Sequence, residues 1–123
     1  MIGYVTVGTN DLARSTAFYD ALLAEIGARR FMESERSVAW SITPGASGLS
    51  VCKPFDGNPA SAGNGTMVAL AAGSTANVDA LHRKALDLGA KDEGAPGPRG
   101  PGGYYGAYFR DLDGNKLCAF HVG

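Results

Sequence analysis

Ile26-Gly27-Ala28-Arg29-Arg30 returns 62 positions later as Leu88-Gly89-Ala90-Lys91-Asp92. Ahead of each stands the same succession: a strand-like run from Tyr4 or Met67, a polar cap at Asn10-Asp11 or Ser74-Thr75, then an amphipathic helix. The offset is about half of the 123-residue chain, so the sequence reads as two copies of one strand, helix and strands unit. Two small half-sheets, neither able to close a core alone, must pack against each other or against another chain. Any active site then falls between them.

In the first copy Leu12, Ser15, Tyr19, Leu22 and Ile26 recur at helical spacing, and Gly27 supplies the left-handed stop. Residues 29–33 and 37–42 read as strands joined by the polar 33–36 turn, with Val38, Trp40 and Ile42 on one face. A further strand carries Leu49, Val51 and Cys52, and Pro54, Gly57, Pro59, Gly63 and Gly65 mark an exposed crossover. In the second copy the strand is expected at 66–70 and the helix buries Val78, Leu81, Ala85 and Leu88, with His82 partly exposed beside them. Residues 94–103 contain Pro96, Pro98 and Pro101 among glycines, which predicts a mobile loop over a binding cleft in place of a strand. Residues 104–110 and 116–122 read as strands around Asp111-Leu112-Asp113-Gly114-Asn115, a hairpin turn that lacks the later oxygen ligands of a calcium loop. The expected organisation is one domain over residues 1–123, with modules at about 1–54 and 65–123 and a linker at 55–64.

Composition narrows the partners. Eleven Lys and Arg against 12 acids leave a net charge of −1, which offers no footprint for nucleic acid or an anionic membrane. No apolar run approaches the roughly 20 residues that span a bilayer, and the reading places the protein in the cytoplasm. Cys52 and Cys118 lie in apolar runs and are expected as buried free thiols. Half-sheets with exposed edges and an apolar face that one short chain covers only in part predict a homodimer.

The stretch Val5-Thr6-Val7-Gly8-Thr9-Asn10-Asp11-Leu12-Ala13-Arg14-Ser15 with Phe18-Tyr19, then Lys53-Pro54-Phe55-Asp56-Gly57, Gly63-Asn64-Gly65-Thr66 and Arg110-Asp111-Leu112-Asp113-Gly114-Asn115, follows a familiar order. In it the chain resembles, over essentially its whole length, the glyoxalase/bleomycin-resistance/extradiol-dioxygenase superfamily, also called vicinal oxygen chelate. The resemblance implies an α+β fold of two βαβββ modules, a curved mixed sheet forming a cleft, and frequent assembly as a homodimer. It also implies a lyase or dioxygenase chemistry in which His, Gln or Glu side chains on the first and last strands of each module hold a divalent metal. That metal polarises neighbouring substrate oxygens.

By the same resemblance the four ligand positions fall on Tyr4, Ser50, Met67 and Cys118, so no His, Asp or Glu remains among them. A phenol, a hydroxyl, a thioether and a thiol are the wrong donors for Mg²⁺, Mn²⁺, Ni²⁺ or Fe²⁺ at an oxygen-chelating site, and no metal or other cofactor is expected. Copper would accept Met67 and Cys118, yet no histidine stands beside them; His121 has the opposite strand parity to Cys118. There is no nucleophile elbow and no phosphate loop. What remains is an apolar and aromatic cleft whose ligand-binding residues are expected to be Tyr4, Thr6, Trp40, Ser50, Met67, Tyr105, Tyr108 and Cys118, with Cys52, Phe120 and Tyr104 as further candidates. Two functions fit: a binding protein for a small apolar or aromatic molecule, or a glyoxalase-like lyase or dioxygenase-related enzyme that uses a Tyr or Cys acid/base group. A cleft with no cation or metal to offset the desolvation of a buried anion is expected to prefer a neutral or aromatic compound to a hard polyanion.

Overall fold

Each helix begins and ends on the same local chemistry. In the computed structural model, which describes residues 1–123, α1 spans Leu12–Ala24 and α2 spans Thr75–Asp87. Asp11 caps α1 by accepting the Arg14 backbone N–H, and Ser74 caps α2 by accepting that of Asn77. At the other ends Gly27 and Gly89 take φ of +77° and +102°. That turn lets the Ala28 N–H reach the Leu23 carbonyl and the Ala90 N–H reach that of Ala85, at 3.0 and 2.9 Å. The left-handed stop of the repeated pentapeptide is therefore physical as well as textual.

The strands are β1 (Tyr4–Gly8), β2 (Arg29–Glu33), β3 (Ser37–Ser41), β4 (Gly48–Cys52), β5 (Val68–Ala71), β6 (Lys91–Pro98), β7 (Tyr104–Arg110) and β8 (Lys116–Val122). They form two four-stranded sheets of identical order, β1-β4-β3-β2 and β5-β8-β7-β6. In each, the first strand lies parallel to the last and the other pairings are antiparallel. The fold is α+β, two βαβββ units.

Strand parity divides each sheet into two faces. One face of each meets the helices, and Val7, Trp40, Leu49 and Val51 join Phe18, Tyr19 and Leu22 of α1 there. Ala107, Phe109, Leu117 and Ala119 join Val78, Leu81 and Ala85 of α2 in the same continuous core. The opposite face of each sheet carries no helix. No helix is long and apolar enough to cross a membrane. Both cysteines are free thiols, Cys118 buried and Cys52 partly so.

Three local expectations are corrected. The first half of the 94–103 stretch belongs to a strand, since β6 runs to Pro98, and the loop is confined to 99–103. β6 is an edge strand, so its prolines forfeit no interior ladder bond, and two register shifts absorb the irregularity. β5 starts at Val68, leaving Met67 just outside it. His82 is buried, with Nε2 3.0 Å from Asp92 Oδ1, because β6 folds back over α2 and supplies a partner that the helix pattern alone does not reveal.

Candidate ligand-binding faces

On the helix-free face of the first sheet, the β1/β4 register sets Tyr4 beside Gly48, Thr6 beside Ser50 and Gly8 beside Cys52. On the second, the β5/β8 register sets Ala69 beside Cys118, with Met67 two residues earlier. The pair Met67 and Cys118 thus repeats in the second unit the relation of Tyr4 and Ser50 in the first. Tyr4 is 67% exposed and Met67 43%, whereas Ser50 and Cys118 are buried beneath their neighbours. None of the five principal cavities of the single chain is lined by any of these four residues. Each pair occupies one face, and the two pairs are not joined in a common pocket of one chain.

The second face carries the denser constellation. Tyr104 lies across Gly106, where an added Cβ would come 2.8 Å from its ring, and stacks on Phe120 with centroids 5.5 Å apart and planes at 3°. Its hydroxyl is 3.2 Å from the Cys118 sulfur. That contact, then burial, then Tyr108 hold the Tyr104 phenol well above its ordinary pKa, so it stays protonated through the neutral range. Tyr108 stands beside Cys118 across the β7/β8 ladder. The Arg99 guanidinium lies 5.5 Å and the Lys116 ammonium 5.6 Å from the Tyr108 ring centroid. Sequence reasoning expected no cation here and missed both. The signal for Lys116 is its parity with Cys118; Arg99 falls in the Gly- and Pro-rich stretch, where no periodicity assigns a face.

Trp40 and Tyr105 leave the expected set of face residues. Trp40 shares the parity of Val38, is 2% exposed, donates its indole N–H to Asp20 Oδ1 at 2.8 Å and lies 5.7 Å from the Tyr19 ring. It lines instead an apolar groove of about 420 Å³ between the units, with Val5, Leu23, Leu49, Val68 and Leu70. Tyr105 points to α2, where its hydroxyl donates to Asp79 at 2.6 Å. The apolar alternation Val38/Trp40 and Tyr105/Ala107/Phe109 marks the core side in both cases. His121 pairs with Tyr105, opposite in parity to Cys118.

The donor set Tyr4, Ser50, Met67 and Cys118 does not suit a hard divalent ion, and nowhere do three His, Cys, Asp or Glu side chains gather as a metal cluster. The turn from Asp111 to Asn115 is likewise consumed internally. Asp111 accepts the backbone N–H groups of Asp113 and Asn115, the Asn115 amide and the Tyr19 hydroxyl.

Comparison with protein families finds the Glyoxalase/Bleomycin resistance protein/Dioxygenase superfamily over residues 1–119. Among solved structures, a glyoxalase/bleomycin resistance protein from Albidiferax ferrireducens T118 is 37% identical, with 100% of this chain and 99% of that one covered at a TM-score of 0.90. A glyoxalase/bleomycin resistance protein/dioxygenase family enzyme from Burkholderia phytofirmans PsJN is 18% identical, with 98% of each chain covered and a TM-score of 0.76. Lactoylglutathione lyase from Agrobacterium tumefaciens is 21% identical, with coverage of 98% and 92% and a TM-score of 0.71; these last two show likeness of fold. Comparison with curated proteins returned no match.

Proposed function

Since the chain belongs to the Glyoxalase/Bleomycin resistance protein/Dioxygenase superfamily, we propose that it is a metal-independent member that binds a small apolar or aromatic molecule. The ligand rests on the helix-free sheet faces, and a second copy of the chain completes the cleft. One observation carries this reading: the two faces are equivalent by internal repeat and lined by Tyr4 and Thr6 on one, Tyr104, Tyr108 and Phe120 on the other, and no helix covers either, the crossover at residues 53–61 bordering only the Thr6/Cys52 end of the first. Tyr4, Phe31, Met67 and Val122 are correspondingly exposed. Apolar side chains in that number on open sheet surface are characteristic of an interaction site. β1 and β5 are also free sheet edges, so a second copy has both strand edges and apolar surface to cover.

The enzymatic alternative, a glyoxalase-like lyase or dioxygenase-related activity, is favoured by one contact, the Tyr104 hydroxyl against the Cys118 thiol. A general acid or base works best with a pKa near the operating pH, and the upward displacement of the Tyr104 phenol moves it away from that range. Binding without turnover is the better-supported reading.

Metal analysis of the purified protein, light scattering, and a thermal-shift screen of neutral aromatics and glutathione conjugates test it together. The expected results are no stoichiometric divalent ion, a dimer at micromolar concentration, and a rise in Tm with aromatics. A monomer whose Tm no aromatic changes would overturn the proposal.

A further inference from the structure

Four cations gather on the helix-free face of the second sheet, in a chain whose net charge is −1. The strand registers set Lys91 beside Arg110 and Arg110 beside Lys116, a row of three positive residues across β6, β7 and β8. Like charges directly opposite each other in a sheet are destabilising, so the row is not what strand pairing selects. Glu93 alone offsets it, bonded to Arg110 Nε at 2.6 Å, and Arg110 first, then Lys91 and Lys116, hold its carboxyl below the usual range. Lys116 has no carboxylate partner, since the only acid-base pairs are Arg14–Asp113, Arg30–Asp20, Arg30–Glu33, His82–Asp92 and Arg110–Glu93.

Arg99 is the fourth cation, and it is seated in the sheet. A Cβ on Gly94 would come 3.4 Å from its Nη2 and 3.0 Å from the Tyr108 ring, and one on Gly97 would come 3.2 Å from its Nη1. The side chain therefore lies in the track those two glycines leave. Nη2 donates to the Ala95 carbonyl at 2.6 Å and Nη1 to that of Pro98 at 3.3 Å. A guanidinium has five N–H donors in a rigid fork, so donors remain for an incoming group. Arg99 and Lys116 both approach the Tyr108 ring, and the Tyr104/Phe120 stack lies beside it on the same face.

We infer that the second face is an acid-recognition site: it takes a flat aromatic carboxylate, with the ring on the Tyr104/Phe120 platform and the carboxylate between Arg99 and Lys116. Two cations beside the Tyr108 ring offset the desolvation that would otherwise exclude an anion from an apolar surface, and charge-assisted hydrogen bonds from Arg99 orient it. The inference rests on the binding function proposed above and adds the charge of the ligand.

Matched probes separate the two. Isothermal titration with 2-naphthoate and with the neutral 2-naphthamide holds the aromatic surface constant and changes only the charge. The carboxylate is expected to bind about 10-fold tighter at low ionic strength, with the gap narrowing in high salt. The substitutions Arg99→Met and Lys116→Met, at two half-buried positions, should abolish the gap between the two probes; the salt series needs no variant. Equal affinities would overturn the inference and leave small-molecule binding standing. A preference that persists in the double variant would overturn the assignment to Arg99 and Lys116. Failure of both probes to bind would overturn the inference and the proposed function together.

Discussion

The Tyr19 hydroxyl on α1 donates a 2.5 Å hydrogen bond to Asp111 Oδ2 in the β7–β8 turn, 92 residues away. Both residues are buried, and burial followed by the Asp111 charge raises the Tyr19 phenol well above its ordinary pKa. The bond ties the helix of one unit to the turn of the other. Tyr19→Phe removes one of four donors to Asp111 and is expected to destabilise the protein by about 1–2 kcal/mol. Asp111→Ala strands the Tyr19 hydroxyl and two turn amides, for a loss of about 3 kcal/mol or more. Urea midpoints at unchanged m-value check both.

Acid should weaken the fold through three carboxylates. Asp20 is held below its usual pKa by hydrogen bonding to Arg30, Asp92 by the Gly94 backbone N–H and then His82, and Glu93 by Arg110. A depressed folded-state pKa contributes stability above the unfolded value, about 4 for these groups, and that stability is lost as pH falls through the folded values. Stability should therefore hold from neutrality to about pH 5 and decline below it. The decline should be shallower in Asp92→Asn, a comparison read from denaturation midpoints at successive pH values.

Trp40 is a reporter of unfolding and not of ligand on the open faces. Its ring is buried against Tyr19 and its N–H is bonded to Asp20. Emission should be blue-shifted in the folded protein and change by little when an aromatic binds, then shift red on denaturation. A large change on saturation would place the ligand in the groove that Trp40 lines.

The aromatic platform depends on a missing side chain. Gly106→Ala places a Cβ 2.8 Å from the Tyr104 ring, which must leave Phe120 and the Cys118 sulfur. Overpacking of this kind typically costs about 1–3 kcal/mol. Affinity for aromatics should fall in Gly106→Ala, whereas Tyr105→Phe, which loses only the bond to Asp79, should retain it.

Under the proposed function, Tyr4, Met67 and Cys118 lack the ligand chemistry for a metal and not the backbone to present it. Tyr4→His, Met67→His and Cys118→Glu together should create a Ni²⁺ site in the assembled dimer, measurable by calorimetry, while the unsubstituted protein shows none. A triple variant that dimerises and binds no Ni²⁺ would mean that the two faces do not converge.

The repeat around Gly27 and Gly89 was legible because a left-handed helix stop and its caps are local. Strand parity followed from period-two alternation, which placed Tyr4, Thr6, Ser50, Tyr108 and Cys118 on one face of their strands, whereas the βαβββ arrangement came with the family resemblance. The failures share one cause. Whether a strand like β6 tolerates proline depends on its being an edge, and whether Trp40 or Tyr105 turns inward depends on which side the helix takes. His82 gained its partner, and Arg99 its seat, from the same edge strand. Those are properties of neighbours distant in sequence.

The parallel closure of each sheet has a consequence for how the chain reaches its shape. β2, β3 and β4 are successive and antiparallel, so they zip as local hairpins, whereas β1 must wait for β4, more than forty residues downstream, before its amides find partners. On the ribosome the emerging first unit holds β1 open until Cys52 has been made, and the second repeats the delay from β5 to β8. An insertion in the crossover at residues 53–67 leaves both delays unchanged, whereas lengthening the β3–β4 turn extends the first. The order of synthesis thus places the vulnerable interval inside each unit, and the junction between them is the place where the chain can be cut, extended or permuted at least kinetic penalty.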